Sequence, residues 1–351
     1  MSNKLLRRQF RIGLVCLLLC SCFVTAGHKE KLCELAKQGQ LSDELISVYY
    51  QYALGNAKEK IPTSKEFWSW LSRNKVIERG LLVGLDPEYN PHVVTNLQEL
   101  RKKFGTKVEQ YPHLALAFSF VYGAAKDKSI RHHWIRWVNV ASRKVPSCRE
   151  SFGYYMDNKD KMVYRLNELS WPMLLYVADN DVPLAERQWV LDRYAGRPIT
   201  KLGRLHNEPV YRTGTSPVEI PKILQEGATC YRLAYFSYSV LKSLGVPAYK
   251  IGGPGHVYEG WIVKGEKLTA KIGESLGLRN GSVLCPLTRK IGREYEIRLL
   301  TSAIGLSYER YLKSKIACYA YKILPADSKK KAVGLLEAAM KNNPYVIESW
   351  L

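Results

Sequence analysis

Between about residues 30 and 200, apolar side chains recur at three- and four-residue intervals, the spacing of one helical face. KLCELAKQGQLSDELISVYYQYALG (31–55) and SKEFWSWLSRNKVIERGLLVGL (64–85) both carry it. NPHVVTNLQELRKKFG (90–105) opens on Asn-Pro and stops at Gly105; VPLAERQWVLDRYAG (182–196) opens at a proline and stops at Gly196. Both therefore read as short helices. The period is lost over AGRPITKLGRLHNEPVYRTGTSPVEIP (195–221), which is rich in Gly, Pro, Thr and Arg and reads as a long loop or linker. From about 218 to 300 helix and strand alternate, and beyond 300 helices return. The expected class is α+β: a helical module over 30–200, a mixed core over 201–300 and a helical tail over 301–351.

The mixed segment holds the candidate chemistry. Thr229 is a good N-cap residue, which puts Cys230 in the first turn of a helix. Leu233, Ser237, Val240, Leu241 and Leu244 form its inward stripe, and Gly245 with Pro247 ends it. PAYKI (247–251), HVYEGWIVK (256–264) and GEKLTAKI (265–272) then read as three strands, with GGPG (252–255) as the first turn. A thiol at a helix N-terminus sits near the positive end of the dipole, which favours the reactive thiolate. The N–H groups there can also stabilise an oxyanion. His256 opens the second strand, from which an imidazole can reach the sulfur as general base. A lone cysteine is more often inert packing and a lone histidine more often a satisfied polar residue, so spacing alone does not make a site.

Composition narrows the setting. Of 351 residues, 46% are apolar and 24% charged, as in an ordinary globular protein, and the formal charge is +21. Lys and Arg are spread along the chain, with only short runs such as Lys329-Lys330-Lys331, and no nucleic-acid-binding motif accompanies them. Nucleic acid is not expected as a partner; an anionic polymer of a cell envelope fits the charge better. MSNKLLRRQFR followed by IGLVCLLLCSCFV and a small-residue stretch ending at Ala26 reads as a signal peptide over 1–26. Ser21 before Cys22 also resembles a bacterial lipobox, so the expectation is export, either periplasmic or membrane-attached as a lipoprotein. Cleavage after Ala26 leaves Cys33, Cys148, Cys230, Cys285 and Cys318, an odd number that fits two disulfides and one free thiol. Trp68, Trp70, Trp134 and Trp137 could line a sugar-binding surface, but aromatics at helical spacing read first as core.

Two resemblances extend this reading. CYRLAYFSYSVLKSLGVPAYKI followed by GPGHVYEGW is similar to the core of transglutaminase-like proteins. There a cysteine opens a helix, an aliphatic-Gly-x-Pro-Ala segment leads to a strand, and Gly-His opens the next. The likeness covers about 218–275. It implies a papain-like arrangement of one helix on an antiparallel sheet, with Cys230 as nucleophile and His256 as base. ACYAYKILPADSKKKAVGLLEAAMKNNPYVIESW (317–350) resembles about one and a half tetratricopeptide-type repeats, which would offer a surface to a protein partner. Such a stack needs more repeats to bury its faces, so the expectation is that a preceding domain caps the pair or that the native chain runs on.

The third member of the triad departs from the family. An aspartate about fifteen residues after the histidine is usual, and Lys271 stands in that neighbourhood. A cation there cannot orient an imidazole. Glu266 and Glu274 are the nearest acids beyond the turn, while strand alternation puts Glu259 on the face opposite His256. The resemblance implies thiol-dependent acyl transfer on peptide or isopeptide amides, with hydrolysis preferred to cross-linking. The alternative is an inactive scaffold of the same fold that binds peptides or protein partners. No cofactor is implied. Calcium regulates some relatives, but no acidic calcium loop is present. GGPG lacks the Gly-Lys-Ser/Thr of a phosphate loop, His132-His133 lacks metal-ligand spacing, and Cys285 has too few companions for zinc. Gln225 could donate to an oxyanion, though it reads first as a loop residue.

Overall fold

A computed structural model describes residues 26–85, 89–124, 144–214, 217–253, 256–265, 267–272 and 281–350. The signal segment with Cys16, Cys20 and Cys22 lies outside the described residues, as do His132-His133, Trp134, Trp137, Glu266 and Glu274. The chain divides into two compact units, one joining the residues up to Pro91 with Ser307–Leu351, the other running from His92 to Leu306.

In the first unit, serines set the helix starts. Ser42 Oγ accepts from the Leu45 N–H at 3.1 Å and opens the helix Asp43–Lys60; Ser64 Oγ accepts from Phe67 at 3.2 Å and opens Lys65–Arg73. Each cap satisfies a backbone donor that the first turn leaves without a partner. Trp68 and Trp70 are buried, so these two aromatics belong to the core. The tail helix Tyr308–Lys322 packs against Val333–Asn342 and against Asp43–Lys60, with the rings of Tyr49 and Tyr319 stacked 6.2 Å apart. Ser314 Oγ donates to the Ala339 carbonyl at 2.9 Å, tying the tail helices together. The apolar faces of the tail pair are thus covered by the N-terminal helices of the same unit.

The second unit is mixed α and β. Its five strands among the described residues, β1 (Ala248–Gly253), β2 (His256–Lys264), β3 (Leu268–Ile272), β4 (Ser282–Leu284) and β5 (Ile291–Arg293), form one antiparallel sheet in the order β3-β2-β1-β4-β5. β1 and β2 make the central hairpin, registered from Ala248 opposite Trp261 to Gly253 opposite His256. Directly opposed residues share a face. One face therefore carries Ala248, Lys250, Glu259 and Trp261; the other carries Tyr249, Ile251, His256, Tyr258 and Gly260. The helix Cys230–Ser243 packs on this hairpin. It covers the first face, since Lys250 Nζ donates to its Tyr231 hydroxyl at 3.3 Å. The helix Glu294–Leu306 serves the second face, where burial raises the pKa of Glu294 beside Tyr249 and Tyr258.

The Cys230 helix is held from its far end. Its last carbonyls have no helical partners. Tyr155 Oη donates to Lys242 O at 2.7 Å and Tyr154 Oη to Ser243 O at 2.9 Å, both from the helix Cys148–Asp157. Val240, Leu241 and Leu244 are buried as the apolar stripe requires, but Leu233 is only partly buried and faces a cleft.

The segment 195–221 is not a plain loop. It winds into the short helix Ile199–Leu202, the 3-10 turn Leu205–Asn207 and the start of the helix Ile220–Glu226. Leu202 and Leu205 are buried and pin it down, an anchorage that two isolated leucines in a Gly- and Pro-rich stretch do not announce. A methyl group on Gly203 would stand 2.7 Å from the Trp261 ring, so only glycine lets this turn close onto β2.

Gly227 has a similar role before the Cys230 helix. Its φ of +76° with ψ of 174° is open in practice to glycine alone, and a Cβ would lie 2.4 Å from the Val210 carbonyl oxygen. Ala228 N donates to that same carbonyl at 2.9 Å. Gly227→Ala is expected to cost about 2 kcal/mol or more, read as a lowered unfolding midpoint in urea. A loss under about 0.5 kcal/mol would show that the backbone can leave this conformation freely.

Candidate active site

Cys230 is the first residue of its helix, with Thr229 as an extended N-cap at φ −70° and ψ 163°. The Thr229 carbonyl accepts from the N–H groups of Arg232 and Leu233, both at 2.9 Å, so the helix supplies no acceptor to the N–H groups of Cys230 and Tyr231. This is the geometry in which donors and the dipole favour an anion. The thiol is free and partly exposed. It lines a cleft of about 630 Å³ together with Leu233, Tyr211, His256, His206 and Glu259.

His256 therefore shares a cleft with Cys230. Its ring stacks on that of Tyr258 at 6.2 Å and 20°, as two residues on one face of a strand do. That is the face turned away from the Cys230 helix.

A second histidine lies on the helix side. His206 belongs to the 3-10 turn Leu205–Asn207, which packs against the Cys230 helix. Its Nδ1 lies 2.8 Å from Oε1 of Glu259, a carboxylate whose side chain is only 5% exposed. A buried carboxylate is costly without a partner, and this imidazole stands at ion-pair distance from it, outside hydrogen-bond geometry. Comparison with protein-family models, curated proteins and solved structures returned no match.

Lys271 is exposed on β3 opposite Trp261, five strand residues along from His256, or about 17 Å at the usual rise. It does not touch His256. β3 as described ends at Ile272, opposite Gly260. Gln225 is exposed near the end of the helix Ile220–Glu226 and is not part of the cleft wall. Cys285 does not line the cleft either. Among the described residues no group of three or more His, Cys, Asp or Glu stands placed to hold a metal ion.

The expected two disulfides are not formed: all five described cysteines are free thiols. Cys318 lies in the first unit and Cys148 in the second, each buried within its own helix packing. Burial pushes the Cys318 thiol up to about 11 and that of Cys148 higher still, which makes both poor nucleophiles.

The sequence reading missed His206 altogether and set Glu259 aside. His206 sat in a segment without periodicity, so nothing local marked it. For Glu259 the signal was present. Alternation opposed it to His256, and the same alternation places it on the Cys230 side of the sheet.

Proposed function

We propose that this chain is an exported, thiol-dependent enzyme with a transglutaminase-like core, acting by acyl transfer on peptide or isopeptide amides, with water as the preferred acceptor. The observation that carries the reading is Cys230, placed at a helix N-terminus and open to a cleft walled by imidazoles. The thiolate attacks the amide carbonyl, and helix N–H groups steady the oxyanion. The amine leaves with a proton, and water then releases the acid from the thioester. An imidazole of the cleft carries the proton in each step; the resemblance gives that role to His256. The N-terminal residues support export. Among the described residues no helix is long and apolar enough to cross a membrane.

Iodoacetamide labelling at about pH 6.5, read by mass spectrometry at each thiol, tests the reading. Cys230, at a helix N-terminus, is expected to react about tenfold faster than free cysteine. A rate at or below that of free cysteine sinks the enzyme.

The second reading, an inactive scaffold, draws on Lys271, which leaves His256 without the usual acid. Its signature is peptide or partner binding, through the cleft or the C-terminal helices, that survives Cys230→Ala. Attachment to an anionic envelope polymer would show instead as steep salt dependence.

A further inference from the structure

We infer that the proton acceptor for Cys230 is His206, held by the buried carboxylate of Glu259, and that His256 stands outside the proton path. The inference rests on the reading of Cys230 as a nucleophile.

The sheet register is the first ground. Glu259 lies opposite Lys250, and Lys250 reaches Tyr231, the residue after the cysteine. Glu259 therefore points to the side on which Cys230 stands, while His256 and Tyr258 point to the other. The second is the pairing itself. With Glu259 Oε1 2.8 Å from Nδ1, an ion-pair distance outside hydrogen-bond geometry, the carboxylate favours the proton on Nδ1 and leaves Nε2 as the nitrogen that exchanges protons. The third is the scaffold. Buried Leu202 and Leu205, with the close passage of Gly203 over Trp261, hold the His206 turn against β2 and the Cys230 helix.

The proton balance closes without a co-reactant other than water. His206 takes the thiol proton on Nε2 as sulfur bonds to the carbonyl carbon. It delivers that proton to nitrogen as the C–N bond breaks and the amine leaves. Water then gives a proton to His206 and its oxygen to the acyl carbon, and the C–S bond breaks with the proton returned to sulfur. Glu259 faces the imidazolium that forms and takes no part in the transfers; it is a positioning residue.

The test is the pH profile of iodoacetamide labelling at Cys230, from about pH 6 to 9, in wild type, His206→Ala, Glu259→Gln and His256→Ala. Far-UV circular dichroism and a thermal midpoint confirm that each variant folds. Expected are fast labelling of wild type and a loss of about tenfold at pH 6.5 in His206→Ala, closing toward pH 9 where any thiol ionises. Added imidazole should restore part of the His206→Ala rate, which a merely structural role would not allow. Glu259→Gln keeps the shape and should lose several-fold at low pH, and it carries the same expectation should His206→Ala not fold. His256→Ala, at the wall of the same cleft, should lose clearly less at pH 6.5 than His206→Ala, because no proton passes through it. Loss with His256→Ala and none with His206→Ala overturns the inference, while fast wild-type labelling leaves Cys230 as the nucleophile. Slow labelling of wild type removes the nucleophile, and this inference falls with it.

Discussion

Arg187→Ala is expected to cost the sheet-bearing unit about 3–5 kcal/mol, a large fraction of the roughly 5–15 kcal/mol that holds an ordinary domain folded. The Arg187 side chain has no exposed surface. Its Nε donates to the Val182 carbonyl at 2.8 Å and its Nη2 to the Asn180 carbonyl at 2.7 Å, with the guanidinium over the Tyr154 ring at 5.6 Å. Truncation leaves two carbonyls without donors, at about 1–3 kcal/mol each, and opens a cavity where the side chain lay. The damage would spread. Tyr154 donates to the carbonyls of both Arg187 and Ser243, and Asn180 Nδ2 donates to Ser243 Oγ at 3.3 Å, so this network also holds the far end of the Cys230 helix. Urea unfolding followed by circular dichroism measures the loss. Arg187→Met, which restores most of the volume, should recover the cavity part alone. A loss below about 1 kcal/mol for the alanine variant would mean that the loop at 179–182 satisfies its carbonyls without the guanidinium.

Lys250 should make the protein more stable as the pH rises from 7 to 9. Burial holds its ammonium down to about 7, with Lys242 and Arg232 adding to the effect and Asp181 opposing it. In the unfolded chain a lysine titrates near 10.4. Between those values the unfolded state binds the extra proton, so stability increases with pH over this window and the full penalty applies below it. Over two pH units the gain is at most about 3 kcal/mol from this residue. Buried thiols and tyrosines titrate at the upper edge with the opposite sign, because their folded forms keep protons that the unfolded chain gives up. The quantity to compare is therefore the difference between wild type and Lys250→Met in urea midpoint free energy at pH 7 and pH 9. The methionine variant should be the more stable at pH 7, with the advantage shrinking by pH 9. An advantage independent of pH would show that Lys250 is charged in both states.

The helices were readable where the signal is local. Ser42 and Ser64 start helices because a hydroxyl can take the N–H three residues on, and Gly105 and Gly196, with φ of +56° and +79°, stop them. The strands PAYKI and HVYEGWIVK fall within one residue or two of β1 and β2 for the same reason. β4 and β5, three residues each, escaped notice because such runs carry too little alternation to be told from loop. The helical turns in 195–221 escaped because their anchors, Leu202 and Leu205, are held by distant packing.

By itself the sequence determined that Cys230 opens a helix, that His256 opens a strand and that Glu259 lies across that strand from it. Each follows from caps, periods and alternation within a few residues. Tertiary structure alone decided that the tail helices pack with the N-terminal ones in a single unit, and that His206 meets Glu259 on the Cys230 side of the sheet. The physical reason is that alternation states which residues share a face but not which neighbour that face receives. Only the pairing of β1 with β2 and the docking of the Cys230 helix set Glu259 and His206 on the thiol's side of the sheet.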